Sequence, residues 1–281
     1  MLESWLQQLR DPHCSPCVMG ILNVTPDSFS DGGRHLAVDA ALGRAVEMVE
    51  EGASIIDIGG ESTRPGAQAV SDDEQCRRVL PVLEALRKQL PAHVVLSIDT
   101  RSCTVAAAAL SAGAQLINDV SGGRDPRLLQ LAARESAALV LMHMQGEPER
   151  MQMAPTYQDV VAEVLAGLLA ATRAAEAAGV ARDSILIDPG IGFGKTREHN
   201  LLLLAGLPQF VATGYPVLLG TSRKRFMGAI CRETSPTDLM GATCATTALG
   251  VAAGVKVFRV HDVRPNRQAA EVAWAIGATA G

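Results

Sequence analysis

Eight short runs rich in Val, Ile and Leu recur along the chain: VMGILNV from Val18, SIIDIGG from Ser54, VVLSIDT from Val94, QLINDV from Gln115, LVLMHM from Leu139, SILIDPG from Ser184, PVLLGTS from Pro216 and VKVFRV from Val255. Each is near strand length and apolar throughout rather than alternating, the pattern of parallel strands covered on both faces. Helical spacing fills most of the intervals. Over Ser71 to Leu90 the apolar positions Cys76, Val79, Leu80, Leu83, Leu86 and Leu90 share one helix face behind a Ser71/Glu74 capping pattern, and Pro81 predicts a bend or break. A further helix is predicted after Ser235, with Pro236 in its first turn and Asp238 three residues past the cap. Eight strand–helix alternations in 281 residues predict an α/β chain folded as one (β/α)8 TIM barrel, a fold of about 250 residues; an open doubly wound sheet is the alternative. No Gly/Ser/Pro-rich linker divides residues 1–281, so a single domain is expected, with 1–17 as an N-terminal extension.

Almost every apolar run ends, on its C-terminal side, in a side chain that bonds or carries charge. In order these are Asn23, Asp57 with Glu61, Asp99, Asn118 with Asp119, His143, Asp188, Ser222 to Lys224, and Arg259 with His261. One such residue is explained by a turn cap. Eight in series point to the shared rim where barrel enzymes assemble their sites. That rim is two-signed: Asp99 and Asp188 with Asn118 offer acceptors, while Lys224 and Arg259 are cationic. A heterocycle with a guanidine-like N–H edge pairs with a carboxylate through two hydrogen bonds and offers its carbonyl and ring nitrogen to a lysine. Guanine and pterin both fit. A phosphate group would be met by Asn23, Thr63, Arg64, Arg259 and His261 at neighbouring strand ends. The Asn23 carbonyl oxygen is a candidate anchor for Mg²⁺, which takes one or two protein oxygens with waters and substrate phosphates; holding the next loop is its other reading. Two long loops, TPDSFSDGG from Thr25 and ESTRPGAQ from Glu61, carry Phe29, Asp31, Arg64 and Pro65 and are expected to be mobile lids.

Composition narrows the class. Apolar residues make up 48% and charged residues 20%, a globular balance, and a net charge of −5 leaves no basic footprint for nucleic acid. Six cysteines in so long a chain read as reduced thiols. MLESWLQQLRDP carries Glu3, Arg10 and Asp11 with no apolar signal region, and Leu239 to Val255 is interrupted by threonines and glycines, so a packed helix, a cytoplasmic address and no membrane partner are expected. DPGIGFGKT has three residues between Gly190 and Gly194 where a nucleotide-phosphate loop needs four, which sets that reading aside. Cys14-x-x-Cys17 lacks a second ligand pair and reads as incidental thiols, and His35, His93 and His199 as surface or helix residues.

MGILNVTPDSFSDGG (Met19 to Gly33) and GGESTRPGA (Gly59 to Ala67) resemble the two signature segments of the dihydropteroate synthase family; SIDT, INDV, LMHMQG, DPGIGFGK, GTSRK and FRVHDV resemble its later motifs in order. The likeness runs from about Val18 to about His261 and the helix beyond. It implies a homodimeric TIM barrel that condenses 6-hydroxymethyl-7,8-dihydropterin diphosphate with p-aminobenzoate, giving 7,8-dihydropteroate and pyrophosphate in folate synthesis, with sulfonamides competing for the amine's place. Carried over by position, the resemblance makes Asn23 the metal and diphosphate ligand and puts Thr63 and Arg64 at the diphosphate. Asp99, Asn118 and Asp188 fall at the pterin edge, Met142 and Phe193 in its apolar pocket, and Lys224 on the pterin. Arg259 and His261 match the pair that stacks on the pterin and holds the leaving phosphates. Phe29, Pro65, Ser222 and Arg225 fall at the p-aminobenzoate end. Asp31, Arg64, Lys224, Arg259 and His261 form the implied catalytic set, with Asp31 stabilising the cationic methylene or steering the amine proton, and Mg²⁺ is the implied cofactor.

Breaking the bond from the pterin methylene to the diphosphate leaves an electron-poor carbon and a more negative leaving group. Cations placed there stabilise the transition state selectively, and an SN1-like path needs positioning more than a strong base. Two positions depart from the family pattern. Ile191 stands where many members have phenylalanine, which alters packing and removes no polar contact. Arg225 stands where a number of members have a serine credited with the p-aminobenzoate carboxylate, so either Arg225 or backbone N–H groups at the following helix start would hold it. Two other classes share the pterin edge: barrels that pass a methyl group from methyltetrahydrofolate to a corrin, which lack the diphosphate task, and a catalytically silent pterin carrier.

Overall fold

The computed structural model describes residues 2–24, 33–61, 70–146, 151–233 and 235–279, with the side chains of 33–37 excepted. The elements run α1 (Leu2–Arg10), β1 (Cys17–Asn23), α2 (Gly33–Glu50), β2 (Ile55–Gly59), α3 (Asp72–Gln89), β3 (Val95–Asp99), α4 (Cys103–Ser111), β4 (Leu116–Asp119), α5 (Pro126–Arg134) and β5 (Ala138–Met142). They continue α6 (Val160–Ala177), β6 (Ile185–Asp188), α7 (Arg197–Ala205), α8 (Leu207–Val211), β7 (Leu218–Leu219), α9 (Arg225–Cys231), α10 (Met240–Ala252), β8 (Val257–Val260) and α11 (Val263–Thr279). All eight strands are parallel, in the order β6-β5-β4-β3-β2-β1-β8-β7. An isolated bridge between Ile187 and Val217, with the Ile187 N–H donating to the Pro216 carbonyl at 3.0 Å, joins the two ends. Sequence neighbours stay side by side around the ring, without the reversal that marks a doubly wound sheet. The expected (β/α)8 barrel is therefore the fold.

Continuous apolar strands bury both faces, and a side-chain period of two sorts them into an inner and an outer set. The outer set, such as Ile56, Ile58, Leu96, Ile98 and Leu139, packs under the helices. Inside, Met19, Ile55, Val95, Leu116, Ala138, Leu186, Leu218 and Val257 make one apolar layer. Burying a side chain such as Ile55 contributes about 1.5–3 kcal/mol. Trp5, Leu6 and Leu9 of α1 pack against that layer, so the segment expected as an extension seals the barrel from below.

Helix ends follow their caps. Ser71 accepts from the Glu74 N–H, and Asp159 accepts from the Val161 and Ala162 N–H groups. Two local expectations change. The helix α3 runs through Pro81 unbroken, because Pro81 and Arg77, whose carbonyl loses its donor, are both exposed to water. The segment after Ser235 begins as a 3-10 turn, Pro236–Leu239, before continuing as α10, and the Ser235 hydroxyl pairs with that of Thr237 at 2.6 Å instead of capping.

Candidate active site

Two residues farther along the strands, the barrel interior changes from apolar to polar. Asp57 of β2, Ser97 of β3, Asn118 of β4 and Arg259 of β8 meet in one hydrogen-bonded layer. The Asp57 carboxylate accepts from Ser97 Oγ at 2.5 Å, Asn118 Nδ2 at 3.0 Å and Arg259 Nε at 2.6 Å. The other arm of the guanidinium donates from NH2 to Asp99 Oδ2, also at 2.6 Å. Arg259 is thus an interior residue of β8 held by two carboxylates, where the sequence pattern places a rim cation; Asp57, read as a strand tip, is the middle residue of β2 and fully buried. Burial alone would lower the Arg259 pKa, but the Asp57 and Asp99 charges raise it, so the guanidinium stays charged. Burial pushes the Asp99 carboxyl up to about 7, with Arg259 opposing. Ser97 is not among the residues the sequence pattern singles out, and Asp57 appears there only as one of the rim series with no role of its own; the available signal is a polar residue inside an otherwise apolar strand.

Asp188, at the end of β6, accepts from the Gly190 N–H at 2.7 Å. Burial pushes its pKa up to about 6, while that N–H, Lys224 and Lys195 favour the ionised form. Asp188 and Lys224 therefore face the same mouth. The Lys224 ammonium lies 4.1 Å from the centre of the Phe193 ring, a cation–π contact, and Phe193 packs against the buried cluster of Met142, Val120, Met144 and Met151. Asp188, Lys224 and the apolar floor of Phe193 and Met142 are thereby brought together, while Asn118 pairs with Asp57 in the layer below. Lys195, which sequence reasoning missed, is buried beneath them and donates to the carbonyls of His143 and Phe193.

Around β1, β7 and β8 lies the cationic half. The His261 N–H donates to Ser222 Oγ at 3.1 Å, and the same hydroxyl lies 2.9 Å from His261 Nδ1. Ser222 Oγ accepts from the backbone, and in the tautomer where it gives its own proton to Nδ1, Nε2 is the imidazole donor. Ser222, expected at the p-aminobenzoate end, thus pairs with His261. Arg223 follows in left-handed backbone, φ 58°, and forks onto Asp262 at 2.7 and 3.1 Å. Asn23, Arg223 and His261 line a cavity of about 340 Å³ with Arg44, which donates to the His261 carbonyl at 3.0 Å. Arg225 is exposed on the first turn of α9. Phe29, Asp31, Thr63, Arg64 and Pro65 lie outside the described residues.

Among the described residues no cluster of three or more His, Cys, Asp or Glu could hold a metal ion. Mg²⁺ asks for less. Asn23 Oδ1 lies 3.7 Å from the point where a Cβ on Gly59 would stand, so an amide oxygen borders a space that a glycine keeps open, while Asp99 Oδ2 nearby is taken by Arg259. That single amide oxygen fits a cation completed by water and substrate phosphate.

The barrel and its two-signed mouth define a pterin-binding enzyme: the family profile described as pterin binding enzyme matches residues 19–261, and the chain belongs to that family. Dihydropteroate synthase of Bacillus subtilis is 48% identical over 248 residues, covering 88% of this chain and 84% of the relative. That of Mycobacterium leprae is 48% identical over 266 residues, 92% and 93% of the two chains. Xanthomonas albilineans dihydropteroate synthase, solved with 4-aminobenzoic acid, superposes with a TM-score of 0.88 at 46% identity, over 95% of this chain and 94% of that one. Within the pterin-binding enzymes the chain stands with the dihydropteroate synthases.

Proposed function

We propose that this chain joins 6-hydroxymethyl-7,8-dihydropterin diphosphate to p-aminobenzoate, forming 7,8-dihydropteroate and pyrophosphate. The observation that carries the reading is that Asp188 and Lys224 face one mouth that also holds Arg259 and His261. Ionised Asp188 accepts the paired N–H groups of the pterin edge, Asn118 adds an amide from β4, and Lys224 meets the ring carbonyl and nitrogen. Met142 and Phe193 supply the apolar floor. At the other end His261 donates from Nε2 to the departing phosphates, and the Arg259 charge stabilises the growing negative charge. The arylamine is neutral at pH 7, so no side chain here has to act as a strong base; fixed charges and positioning lower the barrier along an SN1-like path. Asn23 is the residue that would hold Mg²⁺, which when bound would supply further positive charge at the phosphates, and Asp99 stands with Asp188 and Asn118 at the pterin edge. Loop residues Asp31, Thr63, Arg64, Phe29 and Pro65 complete the site in this proposal, and Arg225 serves the p-aminobenzoate carboxylate from the start of α9.

We further assign the enzyme to the cytoplasm, as a homodimer. All six cysteines are free, and none of the described helices is long and apolar enough to cross a membrane. Leu249 of α10 and Val272 and Ile276 of α11 are exposed on two helices that pack against each other, an apolar face suited to a second copy of the chain. The deciding experiment for the reaction is pyrophosphate release from the pterin diphosphate with and without p-aminobenzoate. Release that depends on the amine is expected; binding of the pterin diphosphate without amine-dependent release would leave a silent carrier.

A further inference from the structure

Lys195 lies near the end of the glycine-rich DPGIGFGKT segment, and the reaction above gives this lysine no task. Lys195 is only 3% exposed, and its ammonium has three partners: the His143 carbonyl at 3.1 Å, the Phe193 carbonyl at 2.9 Å and His143 Nδ1 at 3.3 Å. These acceptors belong to two different places. His143 follows β5, and Phe193 sits in the turn that leaves β6. Gly190, Gly192 and Gly194 in that turn all have positive φ, and a Cβ on Gly190 would collide with the same His143 carbonyl that Lys195 holds. The turn begins at Asp188 and carries the Phe193 ring against which the Lys224 ammonium rests.

A lysine buried so fully is costly to keep, and burial pushes its pKa down to about 7. A methionine of similar length would avoid that cost, so the amine is retained for the groups it holds. We propose that Lys195 is a positioning residue for the pterin half of the reaction: it staples the β6 turn to the end of β5, and so holds Phe193 and Lys224 where the pterin ring must lie. It touches neither substrate. The inference rests on the reaction proposed above.

The test compares wild type with Lys195→Met and Lys195→Gln, measuring the KM for each substrate in the pyrophosphate-release assay beside thermal unfolding. Losing the staple should raise the KM for the pterin diphosphate about tenfold in Lys195→Met. The KM for p-aminobenzoate should stay within about twofold. Lys195→Gln keeps two N–H donors and should recover part of the loss; if Lys195→Met fails to fold, the Gln variant carries the comparison. A double-mutant cycle with Phe193→Leu should be non-additive, because both changes act through one ring. Equal rises in both KM values, an unchanged pterin KM, or fully additive effects would overturn the proposal. Should wild type itself release no pyrophosphate, the reaction assignment falls, and the staple is then judged by calorimetric affinity for the pterin diphosphate, expected to drop about tenfold in the same variant.

Discussion

Arg259 and Asp57 stand 202 positions apart in the chain and meet at 2.6 Å inside the barrel. Asp57 is fully buried and could not be so alone, since an isolated charge in a low-dielectric interior costs several kcal/mol. Together with Asp99 they convert the centre of an apolar barrel into a charged floor under the mouth.

Removing one partner of that floor should therefore be expensive. Asp57→Ala leaves Ser97 and Asn118 without their acceptor and Arg259 with Asp99 alone, and should cost about 3–5 kcal/mol of stability, read from urea unfolding. A loss below about 1 kcal/mol, the scale of an exposed ion pair, would show that the layer does not depend on it.

Charges proposed to meet the pterin diphosphate should matter more than thiols that face none. Lys224→Ala and Arg259→Ala should each lower kcat/KM for the pterin diphosphate by at least about 100-fold, while Cys14→Ser stays within about twofold of wild type. Steady-state pyrophosphate release measures all three. Equal small losses would remove Lys224 and Arg259 from the site.

Burial holds the Asp188 carboxyl at about 6, above the value near 3.9 of an aspartate in unfolded chain. Between those values the folded state binds more protons than the unfolded state, so this group's contribution to stability is complete at low pH and is lost as pH rises through about 6. Asp188→Asn abolishes the dependence. Relative to wild type, the variant should gain roughly 2–3 kcal/mol between about pH 3 and pH 7, measured by urea unfolding across that range. A gain in the acid direction would contradict the sign.

If two copies meet on α10 and α11, charges placed there should separate them. Leu249→Lys with Ile276→Lys should shift sedimentation from dimer to monomer, since obligate faces of this kind depend on apolar contact. Unaltered sedimentation of the double variant would place the interface elsewhere.

The helix α1 offers a control distant from the chemistry. Trp5 is buried under the lowest barrel layer, so Trp5→Ala should destabilise by about 3–5 kcal/mol and leave both KM values unchanged. A changed pterin KM would mean that the bottom of the barrel is coupled to its mouth.

The amino-acid sequence by itself determined the barrel and pointed to the strand ends that line its mouth. Eight apolar runs specify parallel strands because the side-chain period is local, and the polar residues that end those runs, Asn23, Asp99, Asn118, Asp188 and His261, reach one rim whatever the detailed register. What only the tertiary structure decided is which of these groups engage one another. Arg259 binds Asp57 because ring closure brings β8 beside β1 and opposite polar side chains to one level inside the barrel. Lys195 reaches His143 because the β6 turn folds back over the end of β5. Trp5 finds the barrel's underside from a segment with no strand pattern of its own. Pairings of that kind depend on strand stagger and chain return, long-range quantities that no local periodicity encodes, and the energetic demand that buried charges find partners then selects them.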